Sequence, residues 1–135
     1  MPEPTAPRTE EVLRAAEFRT ALRRFERQSD RIARASGLTP RRYLILLLIK
    51  GAADGSERST VTELAKRMSL AQSTVTELVA RAEDAGLVQR ESSPDDGRVV
   101  KLAVTKEGER RLTEAFRSLA AERRSLREAI GRLAD

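Results

Sequence analysis

The chain has 135 residues, enough for one domain with a buried core, and it combines 39% hydrophobic with 35% charged residues. The absence of cysteine and histidine excludes disulfides, a thiol redox sensor, a Cys/His zinc site and histidine-based acid–base catalysis, so we expect no metal, no cofactor and no enzyme. The net charge of +5 suits a nucleic-acid partner, but it is spread as +2, +1 and +2 over residues 1–37, 38–105 and 106–135, so the placement of the charges has to decide.

The start of the chain has three prolines and no apolar run, which predicts a disordered tail over residues 1–9 rather than a signal peptide. The longest apolar run extends only from Tyr43 to Ile49, whereas a helix that spans a bilayer needs about 20 apolar residues. The sequence therefore predicts a buried core helix, no membrane partner and a cytoplasmic location.

A long helix is predicted in each terminal segment, residues 10–37 and residues 106–135. Apolar residues recur in both helices at alternating steps of four and three, the period of a helix that packs against another helix. We interpret the two stripes as a homodimer interface, since one small domain cannot easily cover both; the alternative is that each helix packs on its own domain. The residues assigned to this interface are Phe18, Leu22, Phe25, Leu112, Phe116, Leu119, Leu126 and Ile130.

Residues 38–105 begin with a helix that is followed by a helix-turn-helix. Thr39 as N-cap and Pro40 at the first helical position predict a helix that ends at about residue 50. A Thr-x-x-Glu capping box at Thr60 opens a short helix. Three residues then make a turn, and a longer helix is predicted over residues 72–86.

This longer helix has two different faces. One face is apolar, and the opposite face carries Ser73 and Glu77, flanked by Thr76 and Arg81. Small polar residues near the start of such a helix suit close approach to base edges and phosphates. The alternative is an ordinary amphipathic surface helix.

A β-hairpin is predicted next, with strands over residues 88–92 and 98–104 and turn-forming residues between them. Asp96 is close enough along the chain to orient Arg98, although the two could equally form a solvated ion pair. Arg90 on the first strand either contacts a phosphate or is solvated. A helix suits the major groove of DNA, and an arginine at a hairpin tip suits the minor groove. The predicted fold is mainly α with a small β-hairpin wing: a winged helix-turn-helix domain flanked by N- and C-terminal dimerisation helices.

An ordered set of short motifs runs through this part of the chain: Val61-Thr62-Glu63-Leu64-Ala65, Ser73-Thr74-Val75-Thr76, Ala85-Gly86-Leu87-Val88-Gln89-Arg90, Asp96-Gly97-Arg98 and Leu102-Ala103-Val104-Thr105-Lys106-Glu107-Gly108. With this spacing the chain resembles the MarR family of bacterial transcriptional regulators. The resemblance covers nearly the whole chain, because Leu38-Thr39-Pro40 and the long terminal helices also match.

The resemblance implies a homodimer with interlocked terminal helices that presents two winged helices to a palindromic operator in double-stranded DNA. It also implies repression of nearby genes and release from DNA by a small aromatic effector. The positions that match DNA contacts are Gln72, Ser73, Thr74, Thr76 and Glu77 on the major-groove helix with Arg81 beside them, Arg90 for the DNA backbone, and Asp96 and Arg98 on the wing.

Three features depart from the family pattern. Glu77 stands where the family often has arginine, and it either accepts from the amino group of a cytosine or pairs with Arg81. The N-cap of the major-groove helix is Ala71 or Ser69, neither of which is a strong cap there. The chain has four aromatic residues, so the expected effector pocket rests on few of them, and these are otherwise ordinary core residues. The three aromatic residues assigned to this pocket are Phe18, Tyr43 and Phe116.

Two other functions remain open from the sequence. The winged helix could serve as a protein-interaction module, which would bind no DNA. It could also serve as an architectural DNA-binding protein without an effector, which would show no preference for one sequence over random competitor.

Overall fold

The computed structural model describes residues 1–92 and 97–133. Within these residues, six helices and two strands follow one another, and the predicted fold class is confirmed. Their bounds are α1 Thr9–Ala35, α2 Pro40–Lys50, α3 Val61–Met68, α4 Gln72–Asp84, β1 Val88–Ser92, β2 Val100–Val104, α5 Lys106–Ser118 and α6 Ala120–Leu133. The bounds of α2 and β1 coincide with those predicted, whereas α4 ends two residues earlier than predicted.

The hydrophobic core surrounds α2, the helix with the longest apolar run. Its side chains Ile45, Leu46 and Ile49 are completely buried, and the helix contacts α1, α3, α4, α5 and β2. Burial of each such side chain contributes about 1.5–3 kcal/mol, so α2 holds the other elements together. Among the helices within residues 1–92 and 97–133, none is long and apolar enough to cross a membrane.

Local signals determine where several elements begin and end. The Oγ1 atoms of Thr39, Thr60 and Thr105 each accept a hydrogen bond of 3.0–3.1 Å from the backbone N–H three residues later, which caps α2, α3 and α5. Gly86 has φ +76°, a conformation in which a side chain would be strained. The chain therefore turns at Gly86 from α4 into β1.

The two strands form an antiparallel hairpin in which Val88 pairs with Val104 and Ser92 pairs with Val100. The base of the hairpin is buried, and its far end is exposed. Ser59 adds a short bridge to β2, because the backbones of Ser59 and Leu102 exchange hydrogen bonds of 2.7 and 3.2 Å. The hairpin is thus anchored at one end and free to reach outward at the other.

The predicted C-terminal helix is in fact two helices, α5 and α6, which meet at Leu119. No proline or glycine marks the break. Arg123 Nη1 donates to the backbone oxygen of Phe116 at 2.7 Å. In a continuous helix that oxygen would accept from the N–H of residue 120, so a side chain takes the place of one backbone hydrogen bond.

Within this chain, α1 lies along α6 and also contacts α5. Leu112 and Leu119 are 6% and 1% exposed, so they belong to the chain's own core and are not on the surface that we predicted would face a second chain. Three of the predicted interface residues expose about two-fifths of their area: Phe18, Phe116 and Ile130. The other three are half-buried: Leu22, Phe25 and Leu126.

Candidate nucleic-acid interface

The turn between α3 and α4 is built on Ser69. Its φ of 55° lies in the left-handed region, which costs a non-glycine residue about 1 kcal/mol. The N–H of Leu70 donates to the backbone oxygen of Ala65 at 3.1 Å and closes the end of α3. Leu64 on α3 and Val75 on α4 are completely buried. The turn and these core contacts together hold α4 beside α3 with its other face outward.

The outward face of α4 is the polar one. Ser73 and Glu77 are exposed, as are Gln72 and Thr76, and Thr74 is half-buried. The opposite face is completely buried and consists of Val75, Val79 and Ala82. The two faces follow helical periodicity, as predicted. The side chains that were expected to contact DNA therefore lie on the outward side of α4.

The start of α4 differs from the starts of the other helices in this region. Its N-cap is Ala71, which makes no side-chain cap within the described part of the chain, whereas α2, α3 and α5 each have a threonine cap. The first backbone N–H groups of a helix have no acceptor within the helix and carry the positive end of its dipole. The N–H groups of Ser73 and Thr74 therefore keep their donors for an anionic acceptor such as a phosphate.

An ion pair lies on the exposed face of α4, where Arg81 Nη2 is 2.7 Å from Glu77 Oε1. Both side chains are about two-thirds exposed, so the pair contributes less than about 1 kcal/mol and can be exchanged for contacts with a ligand. Thr76 Oγ1 donates to the backbone oxygen of Gln72 at 2.9 Å, which leaves the hydroxyl oxygen as an acceptor. The exposed face of α4 thus offers both donors and acceptors.

Arg90, the predicted contact to the DNA backbone, is attached to α4. Its Nε donates to Glu83 Oε1 at 3.1 Å, and both side chains are about 40% exposed. This bond uses one of the five N–H donors of the guanidinium group. The contact joins β1 to the last turn of α4, so that the hairpin and the helix form one unit.

A second ion pair attaches the hairpin to the loop before α3. Arg58 Nε lies 2.6 Å from Glu91 Oε2, and this contact, helped by Gln89, lowers the pKa of Glu91 below its ordinary value. Sequence reasoning missed both this pair and the pair of Arg90 with Glu83. No local pattern could have revealed the Arg58 pair, because its partners lie 33 residues apart.

Arg98 lies between the tip of the hairpin and β2, and its side chain is exposed, as is Gly97. Asp96, which we expected to orient Arg98, lies outside the described residues. The exposed end of the hairpin and the polar face of α4 thus belong to one unit, and Arg98 is the arginine that lies furthest toward that end among the described residues of the hairpin.

Only two of the three residues expected in the effector pocket are connected by contacts in the structure. Tyr43 is buried, which raises the pKa of its phenol, while the charge and hydrogen bond of Arg123 act in the opposite direction. The guanidinium carbon of Arg123 lies 3.7 Å from the ring centroid of Phe116, a cation–π contact. Arg123 therefore joins Tyr43 to Phe116, whereas Phe18 on α1 is 38% exposed and does not line the cleft beside Phe116.

A cleft of about 470 Å³ lies beside Phe116, between α2 and α5. Lys50 at its edge is already paired with Glu109 at 2.9 Å and Glu57 at 3.0 Å, and both hydrogen bonds raise its pKa. Arg117 makes no ion pair with any residue of the described ranges. The residues that line the cleft are Leu47, Lys50, Gly51, Leu112, Thr113, Phe116 and Arg117. An apolar cleft with an available cation has the chemistry of a site for an organic anion.

The sequence of this chain is similar to known proteins mainly in the winged-helix segment. Residues 36–99 match the family model described as MarR family. The HTH-type transcriptional repressor YetL of Bacillus subtilis is 35% identical over 78 residues, which cover 58% of this chain and 46% of YetL. The HTH-type transcriptional regulator YsmB of the same organism is 42% identical over 57 residues, 42% of this chain and 39% of YsmB. The matches therefore span less than half the length of these two curated relatives.

Solved structures match over most of the fold. A MarR family protein from Bacillus stearothermophilus is 26% identical with a TM-score of 0.72, over 93% of this chain and 83% of that protein. A mutant of MarR from E. coli, in complex with operator DNA, is 21% identical with a TM-score of 0.66, over 80% of this chain and 75% of that protein. The similarity thus includes the terminal helices as well as the winged helix.

Proposed function

Since the chain belongs to the MarR family by its winged-helix segment and its fold, we propose that it is a transcriptional regulator that binds a specific DNA sequence. The family is one of transcription regulators and not of enzymes. The E. coli relative with a similar fold is in complex with operator DNA, and YetL is named a repressor. We infer that this chain also represses genes near its own, which requires a location with access to DNA, the cytoplasm.

The proposal rests mainly on one observation: the polar face of α4 and the exposed end of the hairpin belong to one packed unit. The exposed polar face of α4 is attached to the hairpin through Glu83 and Arg90. Ser73, Thr76 and the exchangeable Glu77–Arg81 pair have the sizes and hydrogen-bonding groups that base edges require. In our proposal α4 enters the major groove, and the wing places Arg98 in the adjacent minor groove.

A homodimer would give the regulator its palindromic site. Exposed apolar side chains remain on the outer surfaces of α1 and α6 after these helices have packed on each other: Val12, Leu13, Phe18 and Ile130. Surfaces of this kind mark interfaces in proteins, and a two-fold pair would bury them. The two copies of α4 would then meet successive major grooves about 34 Å apart.

The cleft beside Phe116 is our proposed effector site. Its apolar lining and the phenyl ring of Phe116 would hold an aromatic ring, and Arg117 would pair with a carboxylate. Because α5 connects the hairpin to α6, a ligand bound between α2 and α5 would change the angle between the two copies of α4. This angle sets whether both helices can reach the DNA together.

The function is tested by selecting binding sites from random duplex DNA with the purified protein. We expect enrichment of a palindrome with half-sites about 10 base pairs apart. Ser73→Glu should abolish the enrichment, because it places a carboxylate against the DNA phosphates. The same carboxylate interacts favourably with the N-terminus of α4, so the helix should stay folded. The matched control Ser125→Glu on α6 adds the same charge at another exposed serine and should select the same palindrome.

Two results would contradict the proposal and identify its alternatives. Retention of DNA without an enriched sequence would indicate an architectural DNA-binding protein. No retention of any DNA, from a library that includes the region upstream of the gene, would indicate a protein-interaction module.

A further inference from the structure

A groove beside α4 gathers four arginines from three helices. Arg34 comes from the last turn of α1, Arg41 and Arg42 from the first turn of α2, and Arg81 from α4. We call this set the arginine groove. Its volume is about 390 Å³, and its apolar floor consists of Pro40, Ile45 and Leu78.

The positive charge of the arginine groove is only partly balanced. Arg81 pairs with Glu77, but the guanidinium groups of the other three arginines make no hydrogen bond or ion pair with any residue in ranges 1–92 and 97–133. Like charges held at one rim repel one another unless an anion lies among them. Residues 38–105, which contain Arg41, Arg42 and Arg81, have a net charge of only +1, and Arg34 comes from a different helix, so the fold concentrates these charges.

The arginine groove lies on the side of α4 that is opposite the wing. Glu83 faces the hairpin, where it binds Arg90, whereas Leu78 and Arg81 face the groove. At 100° per residue, Arg81 and Glu83 point in directions about 160° apart, which agrees with these contacts. A helix in the major groove has one phosphate backbone on each side. A DNA duplex read by α4 would therefore meet the wing on one side and the arginine groove on the other.

The helix itself cannot supply the electrostatic attraction. Residues 72–84 contain one arginine and three acidic residues, a net charge of −2. Binding to DNA depends strongly on cations placed against phosphates. The attraction must therefore come from residues on the two sides of α4. The wing lies on one side, and the arginine groove lies on the other.

We propose that the arginine groove binds the phosphate backbone on the side of α4 away from the wing. This inference rests on the proposed function, because it assumes that α4 lies in the major groove. The groove arginines hold the duplex in register and carry no sequence information, since every sequence offers the same phosphates. Arg81 connects the two roles, as it lines the groove and also pairs with Glu77 on the reading face.

The test is Arg41→Ala combined with Arg42→Ala, measured by anisotropy titrations on the selected palindrome and on a random duplex of equal length. Removing one arginine from a phosphate should reduce the slope of log K against log salt by about 0.9. At about 0.15 M salt this corresponds to about fivefold weaker binding per arginine, hence about 30-fold for two arginines in one protomer. The weakening should be equal on both duplexes.

Two controls separate this role from a general effect of charge. Arg124→Ala combined with Arg127→Ala removes two exposed arginines from α6 and should leave the slope unchanged. Arg41→Lys combined with Arg42→Lys keeps the charge and should retain most of the slope. Binding by the wild type with an unchanged slope in the double alanine variant would overturn this inference alone. Absence of DNA binding by the wild type would overturn the proposed function together with it.

Discussion

Gly108 should not tolerate a methyl group, although it lies in a helix where alanine is normally preferred. It lies in the first turn of α5, where its N–H donates to Thr105 Oγ1 at 3.0 Å. A Cβ atom at this position would overlap the backbone oxygen of Leu87 and lie 2.8 Å from Val104 Cγ1. Leu87 and Val104 lie at the base of the hairpin, so α5 packs tightly against the hairpin at Gly108.

The expected change in stability is the difference between two effects. Alanine in place of glycine stabilises a helix interior by about 1 kcal/mol. Forcing a methyl group into a filled site costs about 1–3 kcal/mol and occasionally more, and here one of the obstructing atoms is backbone and cannot rotate away. Because the overlap is with backbone, the cost lies at the upper end of this range, about 3 kcal/mol. We therefore expect Gly108→Ala to lower the free energy of unfolding by about 2 kcal/mol, or about 1 M in the urea midpoint at a typical slope of about 2 kcal/mol/M.

The assay is urea unfolding at fixed protein concentration, because association would shift the midpoint. Gly131→Ala is the matched control, since Gly131 is also helical and has no atom within 4 Å of an added Cβ. The control should be as stable as the wild type or slightly more stable. If Gly108→Ala unfolded at the same midpoint as Gly131→Ala, the close approach of α5 to Leu87 would be refuted.

The unit formed by α4 and the hairpin, together with the packing of the helices, supports four further predictions. Arg98→Ala should weaken binding to all duplexes and reduce the salt slope by about 0.9 for each arginine removed from a minor groove, and an equal slope in a salt titration would exclude this role. Glu77→Gln should change the preferred base at one position of each half-site when the selection is repeated; an unchanged palindrome would mean that Glu77 serves only its pair with Arg81. Ile130→Glu should yield monomers by analytical sedimentation, since it places a charge on an exposed apolar side chain of α6, and persistence of a dimer would show that the interface lies elsewhere. Hydrogen bonds from Arg110 and Arg111 lower the pKa of Glu107 from 4.5 to about 2. The stabilising effect of Glu107 is therefore complete above pH 4.5 and is lost as the pH falls toward 2. The urea midpoint of Glu107→Gln should lie below that of the wild type at neutral pH, and the difference between the two midpoints should disappear in acid.

The local structure of this chain could be predicted because its signals act between near neighbours. Thr39 with Pro40 and the capping box at Thr60 placed the starts of α2 and α3, and helical periodicity assigned the exposed and buried faces of α4. The 4-3 stripes of the terminal helices also identified buried positions. They did not distinguish contacts within the chain from contacts with a second copy, and so Leu112 and Leu119 were assigned to a surface that the chain's own core occupies.

Periodicity also did not predict the break between α5 and α6. No helix-breaking residue lies at this break, where Arg123 donates a hydrogen bond to the backbone oxygen of Phe116. The same side chain reaches Tyr43 on α2. Because Arg123 lies on α6, this interaction forms only when α5 and α6 have folded back against the core around α2.

The amino-acid sequence alone determined the order of the helices and strands as far as α5, the polar face of α4 and the family resemblance, because caps, turn residues and spacing act over a few positions. Only the tertiary structure decided where the charges act. It paired Arg58 with Glu91 across 33 residues and placed Arg34 beside Arg41, Arg42 and Arg81. The physical reason is that electrostatic interactions depend on distance in space, and residues from three helices become neighbours only when a common core has formed.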